Sequence, residues 1–273
     1  MTALGLGTGL IYQNLISSKV YTNSASVLFD GANDYGEISD HNNFTPVAAS
    51  GYAWSVWVLL PDSSELAQQR FISKNPTSGS TGYEWMLTAD AAKKPRFFLY
   101  FGGTSSSSDD GGRIRFVIDT IMNVNTWYHL AFSWDGGVGT SAMTGWINGT
   151  QCTHGSGATV AQVGDGTTSV VNGSESVYVG RAVNNYGKVH VDEFALFNTE
   201  LSNTQVGNIY NSGEPTDLSS HDGLVGYWRM GEDDTGTTIT DLSSTGEDMT
   251  LENGAAIDTA IYKADGTDVI YSP

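Results

Sequence analysis

Positive charge is scarce in this sequence: 12 lysines and arginines stand against 30 aspartates and glutamates among 273 residues, a formal net charge of −18. Nucleic-acid binding depends on clustered cations that displace counterions from phosphates. The composition therefore argues against a nucleic-acid partner, and it disfavours an anionic membrane surface for the same reason.

Cysteine is scarce as well. Cys152 is the sole cysteine, which excludes an internal disulfide framework, and no Cys/His spacing suggests zinc.

Long apolar runs are also lacking, because no stretch approaches the roughly 18 apolar residues of a membrane span. The first residues contain no basic region ahead of an apolar core and no small-residue cleavage site, so we expect no secretory signal. Aromatic residues, by contrast, are plentiful: seven Trp, 13 Tyr and 10 Phe make up 11% of the chain. They supply enough large apolar side chains for a sizeable core rather than a disordered chain.

Short apolar runs recur between clusters of glycine, serine and asparagine, which is the pattern of an all-β sandwich with about a dozen strands. In residues 113–118 the apolar positions alternate with Arg113 and Arg115, so these two arginines should point away from the core. One helix is predicted over residues 202–210, where Ser202 and Gln205 have the spacing of a capping box.

Three stretches are close to the motifs of one family. Residues 27–39 read VLFDGANDYGEIS, residues 125–134 read NTWYHLAFSW and are followed by GWING at 145–149, and residues 191–211 read VDEFALFNTELSNTQVGNIYN. In this order they resemble the LamG-like, pentraxin-related group of the concanavalin A-like lectin/glucanase superfamily. The resemblance implies an all-β fold: a two-sheet antiparallel jelly-roll sandwich with one short helix and an N-terminal arm.

The C-terminal part departs from the family's usual order. Residues 223–254 resemble the block that in many family members comes first, yet here the block comes last. The first and last strands of a jelly roll are neighbours, so such a transfer keeps the packing intact. We therefore expect residues 224–230 to pair beside residues 189–197, either within one chain or in an adjacent subunit. The predicted organisation is an anchoring arm over residues 1–24 and a jelly-roll domain over residues 25–273.

Proteins with such a late Tyr-Trp-Arg-Met block resemble structural proteins of tailed phages. This resemblance implies a non-enzymatic virion protein, a capsid decoration or a head or tail fibre, made in the host cytoplasm and located on the virion. We expect the arm to bind other virion proteins, and we expect a homo-oligomer. The alternative is an arm that lies along its own sandwich. The residues predicted to serve assembly are Leu4, Leu6, Leu10, Ile11, Tyr12 and Trp228.

No catalytic pair is evident. Glycosidases of the superfamily carry a Glu-x-Asp-x-x-Glu strand, whose two glutamates share one face and act as nucleophile and acid. That spacing does not occur in this sequence, and the carboxylates at residues 232–234 fall in a predicted turn. We therefore predict that the protein is not an enzyme.

Calcium is the metal that the resemblance favours. Along residues 188–197 the apolar positions shift phase by one residue, which indicates a bulge at Asp192 and Glu193. Related jelly rolls often hold a structural calcium ion between this strand and the opening turn, and calcium takes oxygen ligands. The alternative is that Asp30 and Asn33 only shape a turn while Asp192 faces solvent. The predicted ligands are Asp192 with Asp30, Asn33 or Asp34.

A second function is a carbohydrate-binding lectin or adhesion module on a bacterial surface, and the virion protein is also expected to touch host glycans. Sugar binding requires outward aromatic side chains beside amides and acids, although most strand tryptophans pack in cores. Arg113 and Arg115 are candidates for an acidic glycan or an acidic neighbouring subunit, or they balance local negative charge. The predicted ligand-binding residues are Trp85, Trp146, Asn184 and Tyr186.

Overall fold

The computed structural model of the chain describes residues 21, 23–61, 68–102, 112–164 and 169–259. In chain order its strands are β1 (Ser26–Asp30), β2 (Tyr35–Ile38), β3 (Tyr52–Leu59), β4 (Gln69–Lys74), β5 (Trp85–Ala89), β6 (Pro95–Tyr100), β7 (Arg113–Ile118), β8 (Trp127–Trp134), β9 (Met143–Ile147), β10 (Thr150–His154), β11 (Gly157–Val163), β12 (Val177–Val179), β13 (Arg181–Ala182), β14 (Asn185–Tyr186), β15 (Lys188–Phe197), β16 (Leu224–Trp228), β17 (Thr238–Ile239), β18 (Met249–Glu252) and β19 (Ala256–Asp258).

Apart from the separate hairpin of β13 with β14, the strands form two packed sheets, which we call front and back. The front sheet is antiparallel, with the order β11-β7-β6-β5-β4-β12-β2-β18-β17. The back sheet has the order β10-β9-β8-β3-β15, and the far edge of β15 pairs with β1 at one end and with β16 at the other. β19 adds to β1. The two-sheet antiparallel sandwich predicted from the sequence is confirmed.

The main core lies between the two sheets and is rich in aromatic rings. Trp54 of the back sheet packs against Phe97 of the front sheet with ring centroids 4.4 Å apart, and Phe97 stacks on Phe132 at 5.1 Å. The predicted alternation in β7 is confirmed as well. Its apolar positions are buried in this core, whereas Arg113 is half-buried and Arg115 is exposed on the opposite face. Alternate residues of a strand must point to opposite faces.

A single short helix, α1 (Asn203–Tyr210), covers the outside of the back sheet in the described part of the chain. Ser202 and Gln205 form the predicted capping box, in which each side chain bonds to the backbone N–H of the other residue. Val206 and Ile209 face the sheet and build a second apolar layer with residues such as Trp146. Both faces of the back sheet are therefore covered.

No helix within the described ranges has the length and apolar character needed to cross a lipid bilayer.

The terminal ribbon pairs where the sequence predicts. Strand β16 lies antiparallel to β15 in the same chain, with Trp228 opposite Phe194. The two rings stack with centroids 5.1 Å apart. Trp228 is fully buried, and its indole Nε1 donates to the carbonyl of Glu247. The prediction that Trp228 serves assembly is wrong for this structure, because the side chain is enclosed in its own sandwich.

The predicted arm divides into two parts. Leu4, Leu6, Leu10, Ile11 and Tyr12 lie outside the described residues, so their assembly role stays a prediction. The end of the arm is described, and it contacts its own domain. Asn23 is buried and its side chain bonds to Asp192 of β15. Tyr21 and Asn23 thus pack on the sandwich of their own chain, and the boundary at residue 24 stays a prediction.

Trp228 should be critical for stability, because its removal leaves a cavity beside Phe194 and Phe44. We expect Trp228→Ala to lower the free energy of unfolding by about 3–5 kcal/mol. Urea denaturation followed by far-UV circular dichroism measures this change. Val47→Ala is the control, since Val47 is 56% exposed, and it should stay within about 0.5 kcal/mol of wild type. Equal effects of the two variants would contradict the packing role.

Candidate functional site

Two of the residues predicted to bind calcium, Asp30 and Asp192, lie far apart. Asp30 lies opposite Lys188 in the pairing of β1 with β15, four residues from Asp192. Four residues of an extended strand span about 13 Å. Ligands of one calcium ion must all lie within about 2.6 Å of it. Asp30 therefore cannot share an ion with Asp192, while the sets that combine Asp192 with Asn33 or Asp34 stay predictions.

The opening turn is held by its own side chain. Asp30 Oδ1 accepts hydrogen bonds from the backbone N–H groups of Ala32 at 2.7 Å and Asn33 at 3.4 Å. This arrangement is an Asx turn. Asn33 is exposed, and Asp34 is buried in the same segment. Among the described residues, no group of three or more His, Cys, Asp or Glu side chains is arranged to hold a metal ion. The alternative that Asp30 shapes a turn is confirmed.

The bulge predicted in β15 is present, and it buries both of its carboxylates. The register with β3 shifts between Asp192 and Ala195, and Glu193 has a φ of 47°. Asp192 is fully buried, so the expectation that it faces solvent is wrong. Its Oδ2 accepts from Asn23 Nδ2 at 2.9 Å, and its Oδ1 accepts from the backbone N–H of Glu193 at 2.8 Å.

Glu193 is the centre of a hydrogen-bonded cluster. Its carboxylate accepts hydrogen bonds from the hydroxyl groups of Tyr21 and Tyr227, and from Arg229 Nε at 3.4 Å. Arg229 also lies over the ring of Tyr21, with its Cζ 4.3 Å from the centroid. Burial raises the pKa of Glu193, while these donors lower it. Burial and the neighbouring charge of Glu193 raise the pKa of Asp192 well above its usual value. The cluster is a closed structural network.

A cleft of about 320 Å³ opens beside this network. Tyr21 and Arg229 form part of its wall, and both are already engaged by Glu193. The remaining wall carries several carboxylates, contributed by Asp217 and by residues 232–234. The cleft is therefore predominantly acidic. We assign it no function.

Two of the predicted sugar-binding residues are in the core. Trp85 is fully buried, and its Nε1 donates to the carbonyl of Phe44 at 3.0 Å. Trp146 is buried under helix α1, and its Nε1 donates to Asn203 Oδ1 at 2.9 Å. A sugar ring cannot stack on either indole. The predictions for Trp85 and Trp146 are therefore wrong, and both tryptophans stabilise the fold.

The other two, Asn184 and Tyr186, lie on an accessible face. They belong to the hairpin formed by β13 and β14, which folds over the outer face of the front sheet. Ser73 Oγ of β4 donates to the carbonyl of Arg181 at 2.8 Å and so fixes the first strand of the hairpin. After the hairpin, the backbone of Gly187 packs directly against the backbone of β4. A Cβ atom there would lie 2.0 Å from the carbonyl oxygen of Arg70, so only glycine fits.

Three tyrosines surround one guanidinium group at this hairpin, and we call them the tyrosine cluster. Arg181 Cζ lies 4.8 Å from the ring centroid of Tyr35, 5.1 Å from that of Tyr178 and 5.5 Å from that of Tyr186. Each cation–π contact stabilises the arrangement by about 0.5–1 kcal/mol at an exposed site. Arg181 Nε also donates to the carbonyl of Val183 at 3.1 Å. The guanidinium group thus holds the rings in place.

Polar side chains border the tyrosine cluster. Glu37 Oε1 accepts from Ser176 Oγ at 2.8 Å and from the Tyr178 hydroxyl at 3.4 Å. Asn184 and Asn185 are exposed at the turn of the hairpin. Tyr35 and Tyr186 are half-buried, so an edge or face of each ring stays accessible. The site combines apolar ring surface with hydrogen-bonding amide and carboxylate groups, which is the mixture that an organic ligand needs.

Three members of the site were not predicted from the sequence: Tyr35, Tyr178 and Arg181. A signal for Tyr178 exists, because it is flanked by two buried valines in a short strand and must point to the opposite face. No local pattern identifies Tyr35 or Arg181. Their meeting depends on the pairing of β2 with β12 and on the fold of the hairpin.

Comparisons with known proteins agree with the fold. A family model described as the concanavalin A-like lectin/glucanases superfamily matches residues 30–207. A proposed carbohydrate-binding protein from Bacteroides ovatus shares 14% identity at a TM-score of 0.56, over 87% of this chain and 60% of that one. The chain thus spans 60% of the length of that protein. A heptameric SAP-like pentraxin from Limulus polyphemus shares 9% identity at a TM-score of 0.55, over 91% of this chain and 99% of that one. No curated protein matches the sequence.

The buried acid pair should make stability depend on pH. The pKa of Asp192 is raised in the folded state, whereas an unfolded aspartate has a pKa of about 3.9. Above that pH the folded chain keeps a proton that the unfolded chain releases, so stability falls as the pH rises. We expect Asp192→Asn to raise the Tm at pH 8 by about 2–4 °C, or about 1 kcal/mol, and to leave the Tm at pH 4 nearly unchanged.

Calorimetry at the two pH values measures this difference. Asn23 Oδ1 is buried without a partner, so a turn of that amide can accept a hydrogen bond from the introduced side chain. Asp222→Asn is the control, since Asp222 is exposed, and it should leave the Tm unchanged at both pH values. A lower Tm for Asp192→Asn than for wild type at pH 8 would show that the ionised carboxylate stabilises the fold.

Proposed function

Because the chain belongs to the concanavalin A-like lectin/glucanases superfamily, we propose that it is a non-enzymatic carbohydrate-binding module. The tyrosine cluster is the binding site in this proposal. The single observation that carries it is the set of three tyrosine rings held around Arg181 on an accessible sheet face. Asn184 and Tyr186, which the sequence predicts as ligand-binding residues, both lie there.

The chemistry of the cluster suits a sugar. A tyrosine offers an apolar ring and a polar hydroxyl group, so it can contact both the C–H groups and the hydroxyl groups of a saccharide. The amides of Asn184 and Asn185 and the carboxylate of Glu37 supply further donors and acceptors. The rings are already oriented by Arg181, so a ligand orders few side chains when it binds.

The geometry of the acids supports binding rather than hydrolysis. Asp192 and Glu193 are both buried and are bonded to Asn23, Tyr21, Tyr227 and Arg229. A sugar cannot reach these carboxylates. The carbohydrate-binding assignment proposed for the Bacteroides ovatus protein is consistent with this function, although that likeness concerns the fold.

The virion role stays a prediction. Its anchoring residues, such as Leu4 and Leu10, lie outside the described residues. The expected homo-oligomer also stays a prediction. A mass-spectrometric inventory of purified virions tests the location, and it is independent of the sugar-binding proposal.

A glycan array with the purified protein tests the proposed function. We expect binding to a defined set of glycans, and we expect Tyr186→Ala to weaken the affinity for the best of them at least about tenfold, or about 1.4 kcal/mol. Tyr186→Phe is the matched control, because it keeps the ring and should retain most of the affinity. Ile121→Ala removes a side chain that is 54% exposed elsewhere and should change nothing. An array without any bound glycan would overturn the proposal.

A further inference from the structure

Most arginines of this acidic chain lie on one surface. Six arginines occur in the sequence. Four of them belong to three strands of the front sheet and point to its outer face, away from the core. We call these four the arginine cluster: Arg70 on β4, Arg96 on β6, and Arg113 and Arg115 on β7. The chain as a whole has a net charge of −18, so this patch carries a local positive charge on an otherwise acidic protein.

The strand registers show that the four side chains are close together. Thr88 of β5 lies opposite both Arg70 and Arg96, so these two arginines are separated by two strand spacings, about 10 Å. Arg96 lies opposite Val117, two residues from Arg115 on the same face of β7. Such a diagonal separation is about 7–8 Å. The cluster therefore occupies one compact patch.

Among the described residues, no acid is paired with these guanidinium groups. Within the described part of the chain, none of the four forms an ion pair with a carboxylate. Arg96 and Arg113 rest on the ring of Phe98, with Cζ 5.7 and 5.8 Å from its centroid. Asp90 is the carboxylate whose charge reaches Arg96, and its Oδ1 already accepts from two backbone N–H groups of its own turn.

Three of the donors are also unpaired. The Nε atoms of Arg70, Arg96 and Arg113 are buried and have no hydrogen-bond partner among the described residues. A buried donor without an acceptor is unfavourable. Burial, together with the charge of Arg96, also lowers the pKa of Arg70. A bound anion would supply the missing acceptors and the missing negative charge together.

The arginine cluster is continuous with the tyrosine cluster. One cross-strand row on the outer face of the front sheet consists of Glu37, Tyr178, Ser73, Met86, Phe98 and Arg115. Five strand spacings make this row about 24 Å long. Val183 in the turn of the hairpin packs against the group formed by Tyr83, Phe98 and Tyr100, and Arg96 and Arg113 rest on Phe98, so the hairpin borders both clusters. An extended ligand can contact tyrosine rings at one end and guanidinium groups at the other.

We propose that the outer face of the front sheet binds an acidic polysaccharide, whose carboxylate or sulfate groups pair with the arginine cluster while its sugar rings contact the tyrosine cluster. This inference rests on the proposed function and adds the chemical class of the ligand. Arginine suits it because the planar guanidinium group pairs with such anions through two hydrogen bonds. A nucleic acid is the disfavoured polyanion, because its dense phosphates would meet the strongly negative remainder of the protein.

Isothermal titration calorimetry with the full chain tests the proposal. The probes are an oligogalacturonate and the same oligosaccharide with all carboxylates methyl-esterified, which differ only in the methyl groups that remove the negative charge. We expect the acidic probe to bind at least about tenfold more tightly, and we expect its affinity to fall as NaCl is raised because exposed charges are screened. Dextran sulfate against dextran repeats the comparison with sulfate as the anion.

Variants locate the binding. Arg115 is exposed, so Arg115→Gln should fold normally, and we expect at least about a tenfold loss of affinity for the acidic probe in Arg96→Gln/Arg115→Gln. Lys94→Gln/Lys188→Gln removes the same charge just outside the arginine cluster, where Lys94 is paired with Asp119, and this variant should lose far less affinity. Arg115→Lys keeps the charge but cannot form the paired hydrogen bonds of a guanidinium group. Its affinity for the acidic probe should lie between the affinities of the arginine and lysine double variants. The Tm of each variant shows whether it has folded.

The outcomes separate the two proposals. Equal affinity for the acidic and the esterified probes overturns the acidic-ligand inference and leaves carbohydrate binding in place. Loss of affinity that is equal in the arginine and lysine variants overturns the assigned location. Binding of single-stranded DNA as tightly as the acidic probe overturns recognition of a saccharide. A protein that binds none of these probes and no glycan on the array overturns both proposals.

Discussion

The carboxylate of Glu193 joins three parts of the chain that are far apart in sequence. It accepts hydrogen bonds from Tyr21 near the start of the described domain and from Tyr227 and Arg229 in the terminal ribbon. A buried charge is tolerated only when its lone pairs are satisfied, and removing one partner of a buried pair typically costs about 3–5 kcal/mol. The bulge in β15, the N-terminal segment and strand β16 therefore depend on one another.

This arrangement also allows one strand to pair with two neighbours on one edge. Strand β15 pairs with β1 up to Val191 and with β16 from Phe194 onward, and the bulge lies between the two pairings. On its other edge β15 pairs with β3, which places it in the middle of the back sheet. The back sheet supplies one side of the core, and the front sheet, once packed on that core, presents its outer face to ligands.

Local sequence patterns predicted much of this fold. The alternation of Arg113 and Arg115 with apolar residues, the capping box at Ser202 and the phase shift at Asp192 each depend on neighbouring residues, and the structure confirms all three. The pairing of residues 224–230 with β15 followed from family resemblance, because nothing in the ribbon itself specifies its partner strand.

The candidate site was harder to predict for a physical reason. Trp146 points away from the main core, as a sugar-binding residue would, but helix α1 covers that face, and the position of the helix is a tertiary property. The pairing of Asp30 with Asp192 at one calcium ion was wrong because the register of β1 against β15, which places Asp30 opposite Lys188, cannot be derived from either strand alone. Tyr35 and Arg181 meet only after β2 and the hairpin are in place.

The Glu193 network also has a consequence for protein synthesis. Glu193 and Asp192 leave the ribosome before Tyr227 and Arg229, so the nascent chain carries a strand whose acid pair has only its N-terminal partners. Half of one edge of that strand then has no neighbour to pair with. Completion of the sandwich must therefore wait until translation has passed the terminal ribbon, and a chain truncated ahead of Leu224 would expose this open edge to aggregation.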